Sequence, residues 1–396
     1  MYENRFLVGK PYGKNSFKCY NICEELIIMS LRALLEEYYA EQGYDTNVVN
    51  NFYYDETNNF IKFQFKDNKI LNIDNFLQKY RLGGITLAKN KDDIVPWNEL
   101  LKNLNIQGEL KFKQINTGKT DTFINCLRGK NLNKILEFMY NNDIYLHCST
   151  FDNLYDVIIE IIDSLLLDKY KETYCFLAPI MKDELYFYIK TDINRFIHIL
   201  EESNYPNVTG DYIEFFCKKM CDWINETDTN MFFGLETCRQ LFKEYSKKEQ
   251  LIFLENNSEK VIIEGYSGLN LDMCVKFYKS FHCFDEITEI QDKLKNSDIT
   301  NYNFEDSKKN IRLQLSDVMI GFINKFFDFL DQNSYQNIIS LMENMSDFQH
   351  ENLILFLKLY KKSVDKNELF MCFYEPGSIV KQRNQIITQL ISNYIL

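Results

Sequence analysis

Asn51-Phe-Tyr-Tyr-Asp-Glu-Thr-Asn-Asn-Phe-Ile-Lys-Phe-Gln-Phe-Lys66 decides how this chain is read. Phe52 and Tyr54 fall on one face of an extended segment, Tyr53 and Asp55 on the other. After Thr57, Asn58 and Asn59, the apolar residues Ile61, Phe63 and Phe65 alternate with Lys62, Gln64 and Lys66. Period-two alternation on both sides of a polar turn predicts a β-hairpin. Its tip carries an acidic pair, Asp55 and Glu56. A carboxylate at the end of an aromatic strand can anchor a metal over a sheet, because the strand fixes its direction. Polar turn residues would read the same way.

Working outward, Asn21 to Gln42 has Ile22, Leu26, Ile27, Leu31, Leu34 and Leu35 at helical spacing and closes at Gly43. Arg81 to Lys89 predicts a strand in which Gly83 and Gly84 permit close backbone approach. Gly108 to Lys113 predicts a fourth strand, with Leu110 and Phe112 opposite Glu109, Lys111 and Lys113. Leu132 to Tyr140 suits a helix, Asp143 to Cys148 a fifth strand, and Asp152 to Leu167 a long apolar helix. Residues 169–260 read as helical. Val261 to Ile263 and the approach to Phe284 resume the sheet. Leu315 to Leu330 is a helix with an apolar stripe, and three more helices follow from Ile338, Asn352 and Ile379. Strands followed by strand–helix alternation give an α/β fold with a mixed sheet. The expected order is a helical arm (1–50), the first half of the core (51–168), a helical insertion (169–260), the second half (261–332) and a helical extension (333–396).

Composition bounds the chemistry. The 396 residues carry a net charge of −12, with 45% hydrophobic and 26% charged residues. That is a globular balance. An acidic chain binds nucleic acid poorly in the absence of a local basic groove. Eleven Cys are scattered without a CxxC pair; Cys19/Cys23 and Cys217/Cys221 sit at i,i+4, and only four His are present. Reduced, buried thiols of a cytoplasmic protein are expected rather than a zinc site. No long apolar run predicts a membrane span.

Other chemistries find little support. Gly118-Lys119-Thr120 lacks the phosphate-loop glycine five residues earlier, where Lys113 stands. No GxSxG occurs, and His147 and Cys148, adjacent on a strand, point to opposite faces. The remaining constellation is acidic: Asp55 and Glu56, Glu109, Asp285 and Glu286, and Asp317 three residues after Gln314. Hard oxygen ligands from several strands and one helix suit Mg²⁺ or Mn²⁺. Two such ions could cleave a phosphodiester. Periodicity alone explains Asp317 and Glu109 as solvated positions equally well.

Four stretches, in order, resemble the bacterial domain-of-unknown-function family 3800. They are Phe52-Tyr-Tyr-Asp-Glu-Thr57, Gly108-Glu-Leu-Lys-Phe112, Phe284-Asp-Glu-Ile-Thr-Glu289, and Asn303-Phe-Glu-Asp-Ser307 with Ile311-Arg-Leu-Gln-Leu-Ser-Asp-Val-Met-Ile-Gly321. Thr57-Asn58 stands where that family has Ser-Gly, and Ser316 where it has Ala. The resemblance spans roughly residues 51–330 and implies a ribonuclease H-like mixed central sheet with flanking helices, whose carboxylates bind two divalent ions. It implies Asp55, Glu109, Asp285 and Asp317 as catalytic metal ligands for Mg²⁺ or Mn²⁺, with Glu56, Glu286 and Gln314 behind them. The expected activity is a metal-dependent nuclease on DNA or RNA, in anti-phage defence or a mobile element. Lys62, Lys111 and Lys113, with Lys66, are expected phosphate contacts or solvated strand faces. The alternatives are a non-catalytic interaction or sensor protein on the same fold, meeting a protein partner through the helical insertion or terminal helices, and a hydrolase of nucleotides.

Overall fold

The computed structural model describes residues 39–395 apart from 42, 60–61, 67–68, 71–72, 107, 116–121, 167–174, 228–231, 248–250, 252–260, 264, 287–290, 292–293 and 295–298. Most of the expected N-terminal helix and the Gly118-Lys119-Thr120 stretch lie outside these residues.

The chain enters a six-stranded mixed sheet at β1 (Asn50–Thr57), whose alternating side chains serve two cores at once. Phe52 and Tyr54 pack into one apolar layer and Tyr53 into the other. β2 (Phe63–Lys66) and β3 (Lys69–Ile70) follow, and β4 (Tyr80–Ala88) returns antiparallel to β1, pairing Tyr53 with Ile85 and Asp55 with Gly83. Three helices, α1 (Trp97–Leu104), α2 (Phe123–Cys126) and α3 (Lys130–Asn141), lead to β5 (Tyr145–Phe151), antiparallel to β4. α4 (Asn153–Leu166) is apolar over most of its surface and buried on nearly every side. It is covered by α5 (Ala178–Thr191), beyond which run α6 (Ile193–Glu202), α7 (Asp211–Asn225) and α8 (Phe233–Tyr245).

β6 (Val261–Ile263) and α9 (Ser267–Lys276) precede β7 (Phe281–Asp285), which lies parallel to β1 on the side away from β4. β8 (Tyr302–Glu305) extends the sheet parallel to β7. Then comes α10 (Ile311–Gln332), capped by the Asn310 side chain on Arg312 N–H, which crosses β1 and β4 on the Tyr53 face. α11 (Tyr335–Glu343), α12 (Asp347–Lys366), β9 (Met371–Tyr374) and α13 (Gly377–Tyr394) complete the described chain. Helices thus cover both faces of a sheet ordered β8-β7-β1-β4-β5-β9.

Four expectations are corrected. β1 and β2 are not a hairpin: β1 is a central strand whose ladder is taken by β4 and β7, while β2 pairs with β3 and β6 in a separate three-stranded sheet. β6 therefore joins that small sheet and does not resume the main one. Gly108 to Lys113 is not a strand, because its backbone donors are met by α10 side chains. Leu110 N–H donates to Gln314 Oε1 at 2.9 Å and Phe112 N–H to Asp317 Oδ2 at 2.7 Å. The C-terminal segment is more than helical, since β9 lies parallel to β5 at the sheet edge. Buried Glu375, just past β9, accepts from both Arg383 terminal nitrogens at 2.7 and 2.9 Å and from Lys79 at 2.5 Å. Burial would raise its pKa, but these cations hold it well below the usual range.

His147 and Cys148 do face opposite layers, and both are buried. His147 Nε2 faces the Tyr53 carbonyl at 3.0 Å; His282 Nδ1 meets the Tyr54 hydroxyl at 2.7 Å and its Nε2 faces the Phe277 carbonyl. Burial pushes His147 down to about 4 and His282 to about 3. A depressed imidazole pKa leaves stability intact above the unfolded value of about 6.5 and removes it as pH falls toward the folded value. Urea unfolding is therefore expected to show a loss of about 2–3 kcal/mol per ring between pH 7 and pH 4.5, with the slope flattened in His147→Gln. An identical slope in that variant would contradict the burial account.

Candidate active site at the ends of the central strands

Two neighbouring parallel strands end in the same dipeptide. Tyr53 is in register with Cys283, so Asp55-Glu56 and Asp285-Glu286 lie side by side at the strand ends. One strand further, Glu305 is paired with Asp285. Asp317 comes from the second turn of α10 and reaches this edge because α10 lies very close to the sheet.

That closeness has an identifiable cause. Ser316 Oγ donates to the Tyr53 carbonyl at 2.9 Å, beside Gly84. A Cβ built on Gly84 would stand 2.4 Å from the Ser316 Cβ, and φ there is 152°, where L side chains rarely sit. A Cβ on Gly83 would meet the His147 carbonyl at 2.3 Å. Gly321, one turn on, leaves room for the Phe112 ring, which a Cβ would meet at 2.7 Å. The N-terminal end of α10 is fixed by Arg312. Its guanidinium bonds Asp92 at 2.6 Å and stacks over Trp97 and Tyr53, while the Tyr53 hydroxyl also donates to Asp92. Gly84→Ala is expected to cost about 3 kcal/mol by overpacking and backbone strain, read by chemical denaturation; a loss below about 1 kcal/mol would show that the contact yields easily.

Asp55, Asp285, Asp317 and Glu109 are each oriented through one oxygen. Asp55 Oδ1 accepts Glu56 N–H at 2.7 Å, and Asp285 Oδ1 accepts Glu286 N–H at 2.9 Å and Ser307 N–H at 3.1 Å. Asp317 Oδ2 accepts Phe112 N–H, as above. Glu109 Oε1 meets Lys111 Nζ at 2.8 Å and the Ser307 hydroxyl at 3.4 Å. Gln314 ties the two loops together: it accepts from Leu110 N–H and donates to the Ser307 and Lys308 carbonyls at 2.8 and 3.2 Å. Glu305 is held by Asn303 at 2.7 Å and Asn310 at 2.6 Å.

The electrostatics show that these groups share one region. Burial raises the Asp55 carboxyl well above its usual value, and the charges of Glu56 and Asp317 add to this. Burial, with Asp285 and Asp317, pushes Glu56 up to about 7 against the Asn59 hydrogen bond. A carboxyl whose folded pKa is raised contributes stability at low pH that is lost as pH climbs from about 4.5 through 7. Glu56→Gln should remove that loss. It is expected to stabilise the protein at pH 8 by up to about 3 kcal/mol and to be near neutral at pH 4, by denaturant titration at both pH values. No gain at pH 8 would contradict the crowding of charge.

The structure thus brings Asp55, Asp285 and Asp317 to one sheet edge, with Glu56 among them and Glu109 bridged to it through Ser307 and Lys111. Glu286 is exposed beside Asp285. Lys113 is exposed on the short helical turn Phe112–Gln114, and Lys62 immediately precedes β2 of the smaller sheet, so of the expected phosphate contacts only Lys111 is placed against the carboxylates. Two residues were not singled out from the sequence. Glu305 lay within a quoted motif, but only the β7–β8 register places it beside Asp285. Ser307 acts through its backbone and hydroxyl, which leaves no pattern in a sequence.

No family model matches the chain, and neither a curated protein nor a solved structure does. Among the described residues, no three His, Cys, Asp or Glu side chains are gathered closely enough to hold a metal ion as they stand. In chemistry the donor set still fits a hard divalent cation: it is all carboxylate oxygen, and burial together with the charges of Glu56 and Asp317 raises Asp55, a crowding that a cation relieves. Among the described residues, no helix is long and apolar enough to cross a membrane.

Proposed function

We propose that this chain is a divalent-metal-dependent nuclease on a ribonuclease H-like core. The observation that carries the reading is the meeting of Asp55, Asp285 and Asp317 at the ends of two parallel central strands and one closely packed helix. The mixed sheet covered by helices on both faces supports the same core. In this reading Asp55, Glu109, Asp285 and Asp317 would hold two Mg²⁺ or Mn²⁺ ions. The ions would supply water activation and charge neutralisation at the phosphodiester.

The chain's own residues do the placing. The ladder of β1 fixes the direction of Asp55. Ser307 N–H turns Asp285, Phe112 N–H turns Asp317, and Gln314 joins the loops that carry Glu109 and Ser307. Glu56 and Glu286 flank the strand ends. The substrate is nucleic acid, DNA or RNA, reached at an edge where Lys111 is the basic group in place. Exposed Phe176 (73%) and Phe233 (63%) on the helical segment favour a second reading, a protein partner held there, with or without catalysis.

Purified protein given Mn²⁺ or Mg²⁺ with single- and double-stranded DNA, RNA and a hybrid is expected to cleave at least one of them, and a chelator should stop it. Asp55→Asn and Asp317→Asn should each lower the rate by about a hundredfold or more while remaining folded. Cleavage that survives Asp55→Asn undiminished would refute the assignment. Cleavage of none of these substrates would move the weight to the interaction protein.

A further inference from the structure

The carboxylate group has a cation beside it, and the chain supplies it. Lys111 Nζ stands 2.8 Å from Glu109 Oε1, and Glu109, Asp317 and Asp55 all act on the ammonium. Neighbouring arginines are committed elsewhere: Arg312 to Asp92, and Arg81 to Asp328 at 3.0 Å. The backbone of Lys111 is fixed on both sides of its side chain. Its own N–H donates to Gln114 Oε1 at 2.8 Å, and the next N–H is the one bound by Asp317. The side chain itself is 41% exposed, on a flexible four-carbon stem. A tethered point charge that can swing into solvent is thus anchored at the rim of the group.

We propose that the Lys111 ammonium is a built-in occupant of the position a divalent cation would take, and that metal binding displaces it. The inference rests on the metal-site reading of these carboxylates. It accounts for a group that is crowded with negative charge yet not drawn into a three-ligand set. A monovalent ammonium satisfies Glu109 through a hydrogen bond, so Asp55 and Asp317 are attracted without being pulled into a common coordination sphere. Once displaced outward, the same ammonium would stand on the solvent side, where an approaching phosphate would meet it.

Calorimetric titration with MnCl₂ tests this without reference to cleavage. The proteins are the wild type, Lys111→Met, Lys111→Arg, Lys113→Met and Asp55→Asn. Lys111→Met is expected to bind Mn²⁺ about tenfold tighter than wild type, whereas Lys113→Met, which removes an equal charge two residues away, leaves affinity unchanged. The gain should persist at 0.5 M NaCl, where screening acts within about 4 Å. Lys111→Arg should bind no tighter than wild type. Equal or weaker binding by Lys111→Met, with wild-type binding still dependent on Asp55, overturns the displacement and leaves the site reading standing. An equal gain in Lys113→Met overturns it as a general charge effect. Absence of Asp55-dependent binding in every protein overturns both. Thermal melting of each variant confirms that the comparison is between folded proteins.

Discussion

Ser316 can bond the Tyr53 carbonyl only because Gly84 presents no side chain between them. That absent Cβ sets the distance between α10 and the central strands, and the rest of the candidate site follows from it. With α10 at this distance, Asp317 reaches the edge where Asp55 and Asp285 end. Gln314, one turn before, reaches the loop after β8, and Gly321, one turn later, admits Phe112. The loop carrying Glu109 is then held by helix side chains in place of a strand partner. Arg312, bonded to Asp92 and stacked on Trp97 and Tyr53, keeps the helix from sliding along the sheet.

The same packing concentrates negative charge. Asp55 and Glu56 are half-buried, and their carboxyls are pushed up by burial and by one another's neighbours. A fold selected for stability alone has no reason to keep acids there, since amides of the same shape would fit. At the C-terminal edge of the sheet buried charge is balanced: Glu375 meets Arg383 and Lys79, and Asp331 meets the same two cations at 2.7 Å. The contrast between a neutralised network at the C-terminal edge and an under-neutralised one at the strand ends is what makes the latter a functional candidate.

Much of this was legible in the sequence where side-chain period carries the information. The alternation of Phe52 to Asp55 placed Asp55 on the same face as Tyr53, and Gly83-Gly84 marked a close approach. The helices from Lys130, Asn153 and Ile311 follow their apolar stripes. What failed did so for physical reasons. Phe63 and Phe65 alternate as a hairpin's return strand would, but alternation does not name a partner, and the partners are β3 and β6. Leu110 and Phe112 alternate too, yet their N–H groups go to Gln314 and Asp317, which no local pattern reveals. β9 is four residues long between two long helices and finds its place only by lying beside β5. Asp317 read equally well as a solvated position. Its half-buried carboxylate on Phe112 N–H is a tertiary fact.

The central claim is that the strand-end carboxylates form one cation site centred on Asp55. Anomalous diffraction from crystals soaked in Mn²⁺ measures this most directly. The account predicts anomalous density in contact with Asp55 and shared with Asp285 or Asp317, with Lys111 turned away from it. Mn²⁺ bound only at surface carboxylates elsewhere, with Asp55 untouched at saturating metal, would contradict it.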